Sequence, residues 1–84
     1  MAWIITKDLI SEQGEKSRVG FASRNFKNKE ECTERFRMLD DDGIVYYEGL
    51  ATPDADFSPL DDLGMPDAGC TEIQYWTKGK WETL

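Results

Sequence analysis

The chain has 84 residues and a formal net charge of −7, from 17 acidic and 10 basic side chains with no histidine. That length suits one small domain, residues 1–84, and no apolar run approaches the ~18 residues of a membrane span. The lack of histidine removes the commonest general base and metal ligand, and the acidity disfavours direct nucleic-acid contact, which wants a basic patch.

Trp3–Thr6 is apolar and β-branched and reads as a short strand. Lys7 and Asp8 end the apolar start too early for a secretory signal, so the expected location is cytoplasmic. Residues 7–17 contain Gly14 and many charges without periodicity, and read as loop. Arg18–Ala22 fits a second short strand. Asn28 with an acid three residues on, Glu31, is a weak capping box and predicts one helical turn near Asn28–Thr33.

Two hairpins follow. Glu34–Leu39 and Ile44–Gly49 flank Asp40-Asp41-Asp42-Gly43, and Asp-Gly accepts the positive φ of a tight turn. A two- or four-residue loop would set Met38 opposite Val45, Phe36 opposite Tyr47, Arg35 opposite Glu48 and Arg37 opposite Tyr46. A three-residue loop would put Phe36 opposite Glu48 and lose the ion pair. Cross-strand pairs contribute about 0.2–1 kcal/mol each, which favours the even loop. The second hairpin is Thr71–Thr77 and Lys80–Leu84 around Lys78-Gly79, with Trp76 opposite Trp81 and Ile73 opposite Leu84.

Between the hairpins, residues 51–70 are rich in Pro, Gly and Asp. Ser58 to Gly64 predicts a helical turn with Ser58 as cap, Pro59 at the first position and Gly64 at the exit. Leu60 and Leu63 would pin it to a sheet. The whole reads as a small all-β domain, an antiparallel sheet of about four or five strands built from two hairpins, with short helical turns. An α+β fold is the second reading.

The charge is placed rather than diluted. Met38 to Thr77 holds ten carboxylates (Asp40, Asp41, Asp42, Glu48, Asp54, Asp56, Asp61, Asp62, Asp67 and Glu72) and no base. A face of one sign would steer the protein to a basic partner. A plain solvated surface explains the same run. Aligning Gly43 with the invariant glycine of a calcium-binding EF-hand loop puts Met38 and Gly49 where acids are required, so that pattern fails. Turn chemistry accounts for Asp40–Gly43. No cofactor motif occurs, and the two distant cysteines, Cys32 and Cys70, read as separate thiols. Trp76 and Trp81 read either as core or as an exposed anchor, and one of Tyr46 and Tyr47 should point outward.

The segments Phe36-Arg37-Met38-Leu39-Asp40-Asp41-Asp42-Gly43-Ile44-Val45-Tyr46-Tyr47-Glu48-Gly49 and Phe57-Ser58-Pro59-Leu60-Asp61-Asp62-Leu63-Gly64-Met65-Pro66-Asp67-Ala68-Gly69-Cys70-Thr71-Glu72-Ile73-Gln74-Tyr75 resemble short bacterial proteins met in plasmid, prophage and mobile-element settings. The resemblance covers most of residues 34–84 and brings no activity or ligand with it. It implies a bacterial cytoplasmic setting. Small acidic proteins from phages often occupy basic grooves of host proteins, as anti-CRISPR and anti-restriction inhibitors do. The expectation is therefore a non-enzymatic, acidic protein-binding module without cofactor. Its contact residues would be Asp40, Asp41, Asp42, Asp54, Asp56, Asp61 and Asp62, with Tyr46, Trp76 and Trp81 as apolar anchors. A weak divalent-metal binder using the same loops, or an accessory domain with no specific site, are the alternatives.

Overall fold

A computed structural model describes residues 1–11 and 16–84. Five strands form one antiparallel sheet: β1 (Trp3–Asp8), β2 (Glu34–Leu39), β3 (Val45–Ala51), β4 (Glu72–Thr77) and β5 (Lys80–Thr83). Their order is β1-β3-β2-β4-β5. One helical segment, α1, joins a π-helical turn, Leu60–Gly64, to an α-helical turn, Met65–Ala68. It carries the chain from the end of β3 to the start of β4 and so runs along one face of the sheet. No helix among the described residues is long and apolar enough to cross a membrane.

Alternation along the strands decides which side chains meet α1. Trp3, Ile5, Phe36, Met38, Tyr47, Ala51 and Ile73 from the sheet pack with Ala55, Leu60, Leu63 and Cys70 from the β3–β4 connection. Leu60 and Leu63 thus pin that connection as their spacing predicts, each burial contributing about 1.5–3 kcal/mol. Gly49 lets the Phe36 ring lie flat against β3: a Cβ there would fall 2.5 Å from Phe36 Cζ and 2.3 Å from the Ile4 carbonyl oxygen. Cys32 and Cys70 are free and buried.

The β4–β5 hairpin forms as its sequence predicts. Lys78 and Gly79 both have positive φ, 51° and 83°, which closes a two-residue turn and sets Trp76 against Trp81. The β2–β3 hairpin forms too, but its loop and register differ. Asp40 N–H donates to the Ile44 carbonyl and Gly43 N–H to the Asp40 carbonyl, which makes a three-residue loop with Gly43 left-handed at φ 79°. One more residue, Tyr46, is then bulged out of β3 between the pairs Leu39↔Val45 and Met38↔Tyr47. Each irregularity shifts the register by one. Together they put Phe36 opposite Gly49 and Arg37, not Arg35, opposite Glu48. A single shift would have turned Tyr47 away from the core; the bulge restores it.

Three further boundaries move. β1 runs on to Asp8, whose carboxylate closes the following loop: it accepts from the N–H groups of Ile10, Ser11 and Arg18 and from the Ser11 hydroxyl. The part of the expected 7–17 loop at positions 12–15 lies outside the described residues. Arg18–Ala22 forms no strand; Gly20 and Phe21 bond to Ile5, Ser23 bonds to Trp3, and a single bridge joins Ile4 to Ala22. The turn near Asn28 is a 3-10 turn, Lys29–Glu31, capped by the Asn28 side chain.

α1 begins with Pro59 as its cap and without a side-chain bond from Ser58. It passes through Gly64 rather than ending there. Gly64 is interior, where a Cβ would sit 2.6 Å from Met38 Sδ, and the exit is Gly69 at φ 72°. Pro66 has no N–H for the fourth residue back and its ring crowds that carbonyl; the wide π-turn before it gives the ring room.

Candidate functional site

The sheet has two unlike faces. Under α1 lie the apolar core residues. On the other face β2 presents Arg35 and Arg37, β4 presents Gln74 and Trp76, and β5 presents Trp81, with no element stacked over them among the described residues. Trp76 and Trp81 meet edge to face, ring centroids 5.2 Å apart. Arg35 lies over both rings, at 5.3 and 5.4 Å, and Arg37 lies over Trp81 at 4.4 Å. The Arg37 Nε also donates to Gln74 Oε1 at 2.7 Å. Lys7, Glu48 and Arg37 share one row of this face, so the register places Glu48 between two cations, and Glu72 on the same face accepts from the Gln74 amide and the Thr83 hydroxyl.

The expected contact residues do not converge on one spot. The Asp40–Gly43 turn lies at the end of the sheet where β4 begins. Asp54 and Asp56 lie at the opposite end, beyond β3. α1 bridges the two ends, with Asp61, Asp62 and Asp67 exposed on it. Trp76 and Trp81 are on the face away from α1, so they do not anchor the carboxylate surface. Trp76 is 39% exposed and Trp81 half-buried: neither is core.

Several carboxylates have local tasks. Asp40 Oδ1 accepts from the N–H groups of Asp42 and Ile44, at 2.9 and 3.0 Å. The Ile44 bond foremost, with the nearby Tyr46 hydroxyl also favouring the charged form, holds Asp40 below the usual carboxylate range. The same contact, chiefly, raises the Tyr46 hydroxyl. Tyr46 is half-buried against the core rim; its ring is not a free anchor. Asp54 accepts from Thr52 Oγ1 at 2.7 Å, which lowers its pKa, and pairs with the Met1 amine at 3.4 Å. Asp56 holds a left-handed backbone at φ 50°, and its carbonyl accepts from the Tyr75 hydroxyl at 2.8 Å. Burial, above all, pushes that hydroxyl up.

The carboxylate run is less isolated in space than in sequence. Arg18 reaches Asp67 at 3.2 Å. Arg24 shares with Asp62 a cleft of about 360 Å³, also lined by Trp3 and Phe21, and the Trp3 indole N–H donates to Asp62 Oδ2 at 3.4 Å. Asp41, Asp42, Asp56 and Asp61 make no salt bridge among the described residues. Beside the last two stand exposed apolar side chains that sequence reasoning passed over, Phe57 at 46% and Met65 at 50%. The stacking of Arg35 and Arg37 on the tryptophans was missed as well, because it depends on β2 lying beside β4.

Other chemistry is thinly furnished. Among the described residues, no three acids and cysteines come together as a metal cage. Burial first, then the Asp40 charge, pushes the Cys70 thiol up to about 11, and burial with Glu31 raises Cys32. Thiols so raised are poor nucleophiles. No family model, curated protein or solved structure matches the chain significantly.

Proposed function

We propose that this chain is a non-enzymatic binding module whose surface at the start of α1 takes a basic protein partner. Asp56, Asp61 and Asp62 supply the charge, and Phe57 and Met65 supply the apolar contact between them. The observation that carries this reading is the company those acids keep. Asp56 and Asp61 are exposed, hold no cation among the described residues, and flank side chains that gain by leaving water. Central apolar anchors with a charged rim are the usual anatomy of an interface.

A partner with a nucleic-acid-binding groove suits such a surface, and a bacterial cytoplasmic inhibitor of the anti-CRISPR kind would use it this way. The mobile-element resemblance of residues 34–84 supports that setting. Long-range attraction of this sort weakens as salt shortens the Debye length from ~10 Å at 0.1 M to ~3 Å at 1 M. Capture from bacterial lysate should therefore recover a basic protein at low salt and lose it at high salt. The Asp56→Asn/Asp61→Asn/Asp62→Asn variant should recover little at either. Equal capture by that variant would refute the reading.

A further inference from the structure

We infer that β5 is a self-complementary edge through which two copies of this chain pair, extending the sheet across a two-fold axis. This concerns a different surface from the carboxylates of α1 and stands without them.

β5 ends the strand order. The other end is partly covered, since the Gly20–Ser23 segment bonds to β1. Among the described residues nothing covers the outer side of β5. Which groups face outward follows from one bond: Leu84 N–H donates to the Ile73 carbonyl at 3.0 Å. Hydrogen-bonding direction alternates along a strand. Residues 84, 82 and 80 therefore turn their backbone groups toward β4, and Trp81 and Thr83 turn theirs outward. An outward N–H and C=O on a flat edge is a template for another strand.

An antiparallel two-fold pairing must bring outward residues opposite outward residues. Four centres are available on this short strand; the one at Thr83 sets Glu82 against Leu84 and makes no ion pair. Centred on Lys80, the pairing sets lysine against lysine. Centred on Glu82, it sets glutamate against glutamate. Centred on Trp81, it sets Lys80 against Glu82 of the second copy, twice, while Trp81 exchanges both backbone bonds with Trp81 of the second copy. Like charges directly opposite destabilise a sheet and unlike charges stabilise it. Charge therefore selects the centre at Trp81.

In one copy, Lys80 Nζ already lies 3.5 Å from Glu82 Oε1 on the same face of the strand. Pairing would turn that couple into an alternating quartet. On the opposite face the Trp76–Trp81 pair would become a row of four tryptophans. Isologous contact of this kind closes after two copies. A four-residue edge buries little area, so the dimer is weak and concentration-dependent.

Sedimentation velocity of the full chain between about 10 µM and about 1 mM, the range where small interfaces dissociate, tests this. The wild type should pass from monomer to dimer. Glu82→Lys brings the net charge to −5 (−7 plus 2) and so lowers overall repulsion, yet it should weaken dimerisation at least about tenfold, because both cross-strand pairs become repulsive. Lys80→Glu should weaken it likewise. The Lys80→Glu/Glu82→Lys double exchange should restore it, and so should mixing the two single variants. Circular dichroism of each variant guards against misfolding. A wild type that stays monomeric throughout, or a Glu82→Lys variant that dimerises as well as wild type, would overturn the inference and leave the edge to a strand of another protein.

Discussion

The two faces of the sheet are covered in different ways. One lies under α1 and excludes water with close contacts: Phe36 against Gly49, Gly64 against Met38. No buried side-chain nitrogen or oxygen among the described residues lacks a partner there or elsewhere. Over Trp76 and Trp81 the other face carries no second layer among the described residues. Its tryptophans are shielded by the guanidinium groups of Arg35 and Arg37, which lie over the rings. An 84-residue chain has few apolar side chains to spare. Stacked arginines let the outer tryptophans lie on the surface without a layer above them. The structural consequence is a division: Phe57 and the carboxylates without a salt bridge belong to the layer of α1, and the conspicuous tryptophans belong to the sheet's open side.

The sharpest way to break the comparison is at Gly49. Gly49→Ala places a methyl group against backbone as well as ring, so it should cost about 3 kcal/mol or more and unfold much of the population. Chemical denaturation of the variant measures this. A cost under about 1 kcal/mol would mean that the covered face yields more easily than its contacts suggest.

Asp8 is the next largest effect. Desolvation raises its pKa, but the Ser11 hydroxyl and the N–H groups of Arg18, Ser11 and Ile10 outweigh that and hold it at about 2, against 3.8 ordinarily. A depressed carboxylate contributes stability above its unfolded pKa and loses it as pH falls through the folded one. The contribution should be full above about pH 5 and fade between about 4 and 2. Partial exposure limits it to roughly 1–2 kcal/mol. The difference in unfolding free energy between wild type and Asp8→Asn, followed down that range, should shrink toward zero. A difference independent of pH would assign the loop to other bonds.

On the open face Arg37→Ala should cost only about 0.5–1 kcal/mol, the worth of an exposed cation–π contact, and tryptophan emission should shift red as Trp81 gains water. Last, Asp56→Asn/Asp61→Asn/Asp62→Asn should change stability by no more than about 0.5 kcal/mol per site while abolishing partner capture. Those two variants sharpen the contrast between a face that serves stability and a surface proposed to serve binding.

How far the sequence could be read depended on how local the deciding chemistry was. Lys78-Gly79 specifies its turn alone, so the β4–β5 pairing was legible in full. The β2–β3 hairpin was legible as a hairpin, but not in register. Gly43 adds one residue, and the bulge at Tyr46 adds another because Tyr47 is needed in the core. That second need comes from the packing of β1 and α1, which no local pattern states. Gly64 looked like a helix exit because a glycine there suits one. Its actual task is to let α1 approach Met38, a residue 26 positions earlier in the sequence (64 − 38). The candidate site was legible as chemistry and not as geometry. The acids of residues 40–62 were evident, but their separation to opposite ends of the sheet, and their distance from Trp76 and Trp81, follow from strand order.

The most direct test of this division is a calorimetric titration of the captured basic partner, at one low salt concentration, into wild type, Phe57→Ala/Asp61→Asn and Trp76→Ala. The first variant should lose at least about tenfold in affinity, about 1.4 kcal/mol, with its stability intact, and Trp76→Ala should bind as wild type does. Loss of binding in Trp76→Ala, with Phe57→Ala/Asp61→Asn unaffected, would contradict that division and move the site to the open face.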